Sequence, residues 1–427
     1  MKFNKWTLGL AALGVVSLAS VVQAEERTNP VLTALSSTTI SGYVDTSMIW
    51  KIGRGNYPLP GRAYDGADKQ DGINLNVVGI TIEKPLDETE WAAGYKVDLL
   101  FGPDAEDYGT TLDSGGNRDQ FAIKQAYVAL RAPLGNGLDF KIGVYDNPLR
   151  YESFESFRNP NYSRSYGYLL EPNAFTGVNI SYKFTDWLTV FGGVADSPSN
   201  EINARAWKGI KGYDPVTGKP YGYESENVKT YYGGITLTAP SDLGFLEGST
   251  LTVGAYDGLP HDTSSVGTPT KIGDTTGLFV AATINTPVKG LAFGGAFDYR
   301  WQRNDALYTV PGVGTRYGNE YAVGAYLVYT GIEKWKFALR GDYYNSGLNN
   351  GNPYSFYASS NEEGAELLAV TATADYQLWQ NVITRLEFRW DHDLTGLQPS
   401  SLPNSNGPFA DDDNNAFSLA LNIVYRF

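Results

Sequence analysis

AFSLALNIVYRF, residues 416–427, closes the sequence. Phe417, Leu419, Leu421, Ile423, Tyr425 and Phe427 fall on one face of an extended chain. Ser418, Ala420, Asn422, Val424 and Arg426 fall on the other. Successive side chains of a strand point to opposite faces, so this is a period-2 segment with one apolar and one mostly small or polar face. Its length suits a strand that crosses a bilayer at a tilt, which takes about 9–11 residues.

The alternation recurs upstream. In 381–391, Val382, Leu386, Phe388 and Trp390 oppose Arg385, Glu387, Arg389 and Asp391. In 334–345, Trp335, Phe337, Leu339 and Tyr343 oppose Lys336, Arg340 and Asp342. In 291–301, Leu291, Phe293, Phe297, Tyr299 and Trp301 oppose Asp298 and Arg300. Segments 40–51, 91–101 and 138–145 read the same way, and weaker ones lie between them. A helix would show a period of 3.6 instead; roughly 16 strands are expected.

The connections carry a second regularity. Short links at 85–89, 133–137, 185–186, 287–290, 331–333 and 379–380, and a longer one at 240–248, alternate with long polar stretches. An all-β transmembrane antiparallel barrel, with short periplasmic turns and long extracellular loops, requires that alternation. In hydrocarbon every backbone N–H and C=O must be paired, so the sheet must close on itself. A barrel of that size leaves a lumen too wide for side chains alone to fill. The charged inward positions are therefore expected to be solvated, since unpaired charge in a dry core is costly. Gly143, Gly192, Gly294 and Gly324 suggest room inside the wall.

The other end reads as a secretory signal: Lys2 and Lys5, an apolar stretch over 8–19, then Val22-Gln23-Ala24 with small residues at −3 and −1. The expected organisation is a signal peptide (1–24), a short periplasmic segment (25–37) and the barrel (38–427). Removing Lys2 and Lys5 takes the formal net charge from −14 to −16. That balance argues against nucleic acid, which wants a basic footprint. A mean hydropathy of −0.29 would suit a soluble protein, yet 30 Tyr, 9 Trp and 48 Gly suit aromatic girdles around a polar lumen. With no Cys, disulfides and thiol chemistry are excluded.

The long stretch 146–173 holds Arg150, Glu152, Glu155, Arg158 and Arg164. It is expected to fold into the lumen and narrow it. Asp298, Arg300, Lys336, Arg340, Arg385, Glu387 and Arg389 are the candidate pore-lining residues. Their cations form either a basic wall facing the loop, selecting by charge, or structural ion pairs with Asp298, Asp342, Glu387 and Asp391. Acidic stretches (Asp104, Glu106, Asp107, Asp113 and Asp119; Asp411, Asp412 and Asp413) lack an ordered Ca²⁺-loop spacing and read as solvated loops. His261 and His392 belong to no recognisable nucleophile or metal motif. No cofactor, metal or catalytic residue is expected.

The stretch 125–197 resembles the OmpL-like β-barrel porins of Gram-negative bacteria. It carries Gln125-Ala126-Tyr127-Val128, Gly137-Leu138-Asp139-Phe140-Lys141-Ile142-Gly143, Asn161-Tyr162-Ser163-Arg164-Ser165, Glu171-Pro172 and Thr176-Gly177. A looser likeness covers 40–427. Ala195-Asp196-Ser197 stands where members often carry Asn-Gly. The terminal Phe427 also resembles the ending of outer-membrane barrels, where it serves as an assembly signal. The resemblance implies an outer-membrane pore and leaves its solute open.

The expected function is an outer-membrane porin passing small hydrophilic solutes or ions by passive diffusion, without catalysis. Expected partners are outer-membrane lipid, the barrel assembly machinery through Phe427, and a homotrimer as one possible assembly. The alternatives are a substrate-specific barrel transporter, a barrel enzyme acting on lipids, and a closed structural or adhesion barrel.

Overall fold

The computed structural model describes residues 37–53, 63–110, 119–205, 212–213, 220–221, 228–259, 275–304, 316–346, 365–395 and 414–427. The signal segment, Asp113, His261 and Asp411 to Asp413 lie outside them. Apart from a short ribbon pairing Gly212–Tyr213 with Pro220–Tyr221, the strands are β1 (Thr39–Ile52), β2 (Gly72–Lys84), β3 (Ala93–Phe101), β4 (Phe121–Ala132), β5 (Leu138–Asp146), β6 (Ala174–Lys183), β7 (Leu188–Ala195) and β8 (Thr230–Thr238). They continue with β9 (Thr250–Gly258), β10 (Thr275–Asn285), β11 (Leu291–Asn304), β12 (Arg316–Tyr329), β13 (Trp335–Asn345), β14 (Glu366–Trp379), β15 (Val382–Asp393) and β16 (Asn415–Arg426).

Each strand pairs antiparallel with its sequence neighbours, and β16 pairs with β1 to close a sixteen-stranded barrel. The seam ends in a reciprocal backbone pair between Gly42 and Phe427. No open edge is left in the wall, as hydrocarbon demands. The expected alternation of short and long links is present, so one rim carries tight turns and the other the long connections. Among the described residues, two short α-helices lie in those connections: α1 (Pro103–Tyr108) and α2 (Tyr166–Leu170).

Faces follow the sequence pattern. On β16, Ser418, Ala420, Asn422 and Val424 are buried, while Ile423 and Tyr425 are exposed. On β13 and β15, Phe337, Leu339, Leu386 and Phe388 face outward and Arg340, Asp342, Arg385, Glu387, Arg389 and Asp391 face inward. Among the described residues, three register shifts interrupt the ladder: one falls at Gln377/Trp379 where β14 meets β15, and the other two re-aim inward side chains. Asn76 is the extra residue where β2 meets β1, and Lys124 where β4 meets β3. A bulge re-aims a side chain, and both residues are buried inside the barrel.

The interior corrects two expectations. The inward charges are not solvated: Arg340, Arg385 and Arg389 are fully buried. The reason is that residues 147–173 occupy the lumen and supply the partners that water would otherwise provide. Nor do the named glycines leave room. A methyl at Gly294 would strike the Tyr151 hydroxyl, one at Gly324 the Tyr326 ring, and those at Gly143 and Gly192 neighbouring backbone. Aromatic side chains instead cover glycines on the adjoining strand: Tyr43 over Gly79, Phe191 over Gly234, Tyr232 over Gly193 and Tyr256 over Gly277. Each of these is a directly opposed cross-strand pair, an arrangement that pins register.

Candidate pore constriction

Residues 147–173 leave β5, cross the lumen and return to β6. Asn147 ties the two ends together: its Nδ2 donates to Pro172 O at 3.0 Å, and its Oδ1 accepts from Leu149 N at 2.9 Å. Arg150 braces the same neck. Its Nη1 donates to Asn173 O at 3.2 Å, its Nε lies 3.2 Å from Glu171, and its guanidinium sits 4.1 Å from the Tyr168 ring centre. Ser165 caps α2 through Tyr168 N, and Ser165 N in turn donates to Glu152 at 2.7 Å.

The wall from β13 to β15 meets this loop with a ladder of charged groups. Arg340 donates to Glu152 at 3.0 Å, Ser163 O at 2.6 Å, Arg164 O at 3.0 Å and Asp342 at 2.6 Å. Arg389 donates to Arg164 O at 2.7 Å and to Asp391 at 2.7 Å. Glu387 accepts from Tyr162 N at 2.6 Å and Ser163 N at 3.0 Å. Arg385 donates to Ser156 O at 2.6 Å, and Lys336 to Asn159 O at 2.9 Å. Buried charges are tolerated only when paired and hydrogen-bonded, and these are. The two sequence readings of the cations therefore merge. Arg340 and Arg389 form ion pairs within the wall and bind loop carbonyls with their remaining donors.

Across the lumen, Ser156 Oγ donates to Asp45 at 2.6 Å; Asp45 also accepts from Asn76 at 2.8 Å and Asn422 at 2.6 Å. Glu155 lies 3.1 Å from Lys124, which is 2.5 Å from Asp146. Burial pushes the Glu155 carboxyl up, but Lys124 and Arg158 outweigh it and hold it below the usual carboxylate range. The returning arm behaves oppositely. Glu171 faces the carboxyl of Asp298, and the two negative charges disfavour one another. Burial and then Asp298 push Glu171 well above its ordinary value, against Arg150.

The wall from β6 to β10 carries no inward charge except Lys183 at the short-turn rim. Phe175, Phe191, Tyr232, Tyr256 and Phe279 cluster there with Leu149 and Tyr151 of the loop. Phe175 stacks on Tyr232 with centroids 4.7 Å apart, and Leu149 fills the space at Gly254.

The loop thus brings Glu152, Glu155 and Arg164 together with Lys336, Arg340, Arg385, Glu387 and Arg389. Arg164 is buried on Tyr64, 5.0 Å from its ring centre. Arg158 is different, with half its side chain exposed (51%). Arg300 stands apart, paired with Glu320. Asp104 of the acidic stretch pairs with Lys69. His392 is held by Asn415 at 3.0 Å. Among the described residues, no three His, Asp or Glu side chains are grouped to hold a metal ion. Sequence reading missed Lys124, Asn76, Asp45 and Asp375. The adjoining Lys124-Gln125 and Val77-Val78 break the alternation, which is the signature of a bulge.

Comparison with known proteins follows the same lines. Residues 37–427 match the model of a family described as "Putative beta-barrel porin-2, OmpL-like". No curated protein matches the sequence. Among solved structures, the outer membrane channel DcaP of Acinetobacter baumannii is similar at a TM-score of 0.55 and 15% identity, covering 93% of this chain and 99% of that one. The anion-selective porin from Comamonas acidovorans aligns at 0.55 and 11%, covering 92% and 99%. OmpT of Vibrio cholerae aligns at 0.53 and 10%, covering 93% and 99%. At these identities the likeness is one of fold.

Proposed function

Because this chain belongs to the OmpL-like β-barrel porin family and is a porin-type barrel of the outer membrane, we propose that it is a passive diffusion channel for small hydrophilic solutes or ions, with residues 147–173 as its constriction. The observation that carries this reading is the loop's place inside a closed wall, bonded to inward side chains on several strands. Transport of this kind needs no reaction, cofactor or energy source. Selection would come from the gaps left around the loop and from the charges that border them. Short turns on the periplasmic side place Lys336 and Arg385 toward the periplasm.

One observation favours a second reading, a barrel that is shut at rest. The inward charges are buried and the glycines are filled. The refolded barrel in a planar bilayer under a salt gradient separates the two. Stable current steps support the open channel. A folded barrel silent until Glu387→Ala releases the loop supports the gated one. The proposed assembly is a homotrimer in outer-membrane lipid, an arrangement for which OmpT of Vibrio cholerae has a trimer form. The mass of the detergent-extracted protein tests it.

A further inference from the structure

The inward side chains on β2 to β5 differ from those that grip the loop, because they are partly open. Glu83, Lys96 and Tyr127 are directly opposed across β2, β3 and β4. Lys141 on β5 reaches over the same ring, its Nζ 5.2 Å from the Tyr127 ring centre. The Glu83 side chain is 37% exposed and that of Lys96 21%, and Tyr127 and Lys141 are partly exposed as well. On the opposite wall, Arg340, Arg385 and Arg389 are fully buried, and Lys336, at the short-turn end, is 25% exposed. The loop tip presents the half-exposed Arg158, which lies within electrostatic reach of Asp98 on β3 and Asp146 on β5. Asp146, Lys124, Glu155 and Arg158 form a chain of pairs at 2.5, 3.1 and 4.0 Å. Arg131 forks onto Asp139 at 2.6 and 2.7 Å, and Lys96 stands 3.5 Å from both Glu83 and Asp98. With Lys141 these groups balance in sign, so what sets Lys141 apart is contact and not surplus. Among the described residues, its amine has no carboxylate within ion-pair distance. Its strongest charged neighbour is a second cation, Lys96, ahead of Asp146, Lys124 and Asp139.

We propose that the opening of the constriction runs between the loop tip (residues 153–158) and β2–β5, and that Lys141 sets its preference by favouring small anions over cations. This rests on the channel reading and gives it a path and a solute class. An ammonium in a narrow, partly desolvated gap needs a counter-charge. Each carboxylate nearby is already in contact with another cation, so a passing anion supplies it. The Tyr127 ring holds the amine beside the gap, and Lys96, opposed to that ring, offers the same anion a second ammonium. A lysine presents a point charge with rotatable donors and no fixed fork. It therefore attracts an anion without the geometric match that would retain it, as conduction requires.

Reversal potentials of single channels in gradients of potassium chloride and potassium acetate test the preference. Lys141→Gln should lower the permeability ratio of anion to potassium about threefold, the scale of one partly exposed charge. Lys183→Gln, a cation paired with Asp186 at the rim, should leave it unchanged. The chain has no Cys, so single thiols map the opening independently of conduction. A sulfonated methanethiosulfonate should modify Lys141→Cys in the folded barrel and spare Ala338→Cys, whose position on β13 is buried. An unchanged permeability ratio in Lys141→Gln overturns the preference, and equal modification of the two thiols overturns the path; either result leaves the channel standing. A barrel modified at Lys141→Cys alone that passes no current keeps the opening and overturns the channel.

Discussion

From β13 through β16 to β1, the wall meets residues 147–173 with charged side chains; from β6 to β10 it meets them with rings and glycines. On the charged arc, Arg340, Glu387 and Arg389 each bind the loop through groups of fixed direction. Moving the loop there would strand buried charge. On the uncharged arc Leu149 enters a hollow at Gly254, and at its β11 border Tyr151 enters one at Gly294, where contact is close but non-directional. One arc thus sets where the loop sits along the pore, and the other how near to the wall it comes. Depth and distance are separate variables in this barrel, controlled by different chemistry.

The largest effect should follow from breaking the charged arc. Arg340→Ala leaves Glu152 and Asp342 buried without their main partner, a loss on the order of 3–5 kcal/mol. Urea unfolding of the barrel in detergent measures it. A change below about 1 kcal/mol, the size of an ordinary hydrogen bond, would mean that the arc does not grip the loop. Overfilling the other arc should do less. Gly254→Val runs into Leu149 and should cost about 1–3 kcal/mol, as overpacking does. If it matched Arg340→Ala, the division between the arcs would dissolve.

The smallest and most diagnostic test is pH. Glu155 is held below its ordinary value, so its contribution is complete above that value and lost as pH falls through the lowered one. Glu171 is raised, so its contribution is complete below the ordinary value and lost as pH rises through the raised one. Acid should therefore loosen the outgoing arm near 153–158, and alkali the returning arm near 166–171. Amide hydrogen exchange resolved along the loop follows both. Glu171→Gln should keep the returning arm protected at high pH; equal loosening of both arms at either extreme would contradict the assignment.

Much of this was legible in the sequence where physics is local. The alternation of Arg385, Glu387, Arg389 and Asp391 against Leu386 and Phe388 gave both strand and facing, because a lipid-exposed strand must repeat every second residue. The parity of the links gave the barrel. Lys124 and Asn76 were hidden because a bulge shifts the alternation by one. Tyr256 over Gly277 was hidden for another reason: a glycine reads as space until register brings a ring from the next strand onto it. The fate of Arg340 and Arg389 depended on the loop, whose path across the lumen no periodicity encodes. Composition marked 146–173 as rich in charge and alternation marked the wall residues facing it, so both were named, while the loop backbone groups that Arg340, Glu387 and Arg389 bind were not.

The seam between β1 and β16 has a kinetic meaning. Every other join in the wall links strands that follow one another in sequence, whereas this one links residues 377 positions apart, as Thr46 and Ile423 are. The sheet can grow hairpin by hairpin with small losses of chain entropy, while almost the whole cost of long-range search falls on one final event. Until then two strand edges stay unsatisfied, a state hydrocarbon does not tolerate. Closure and membrane entry are thereby coupled.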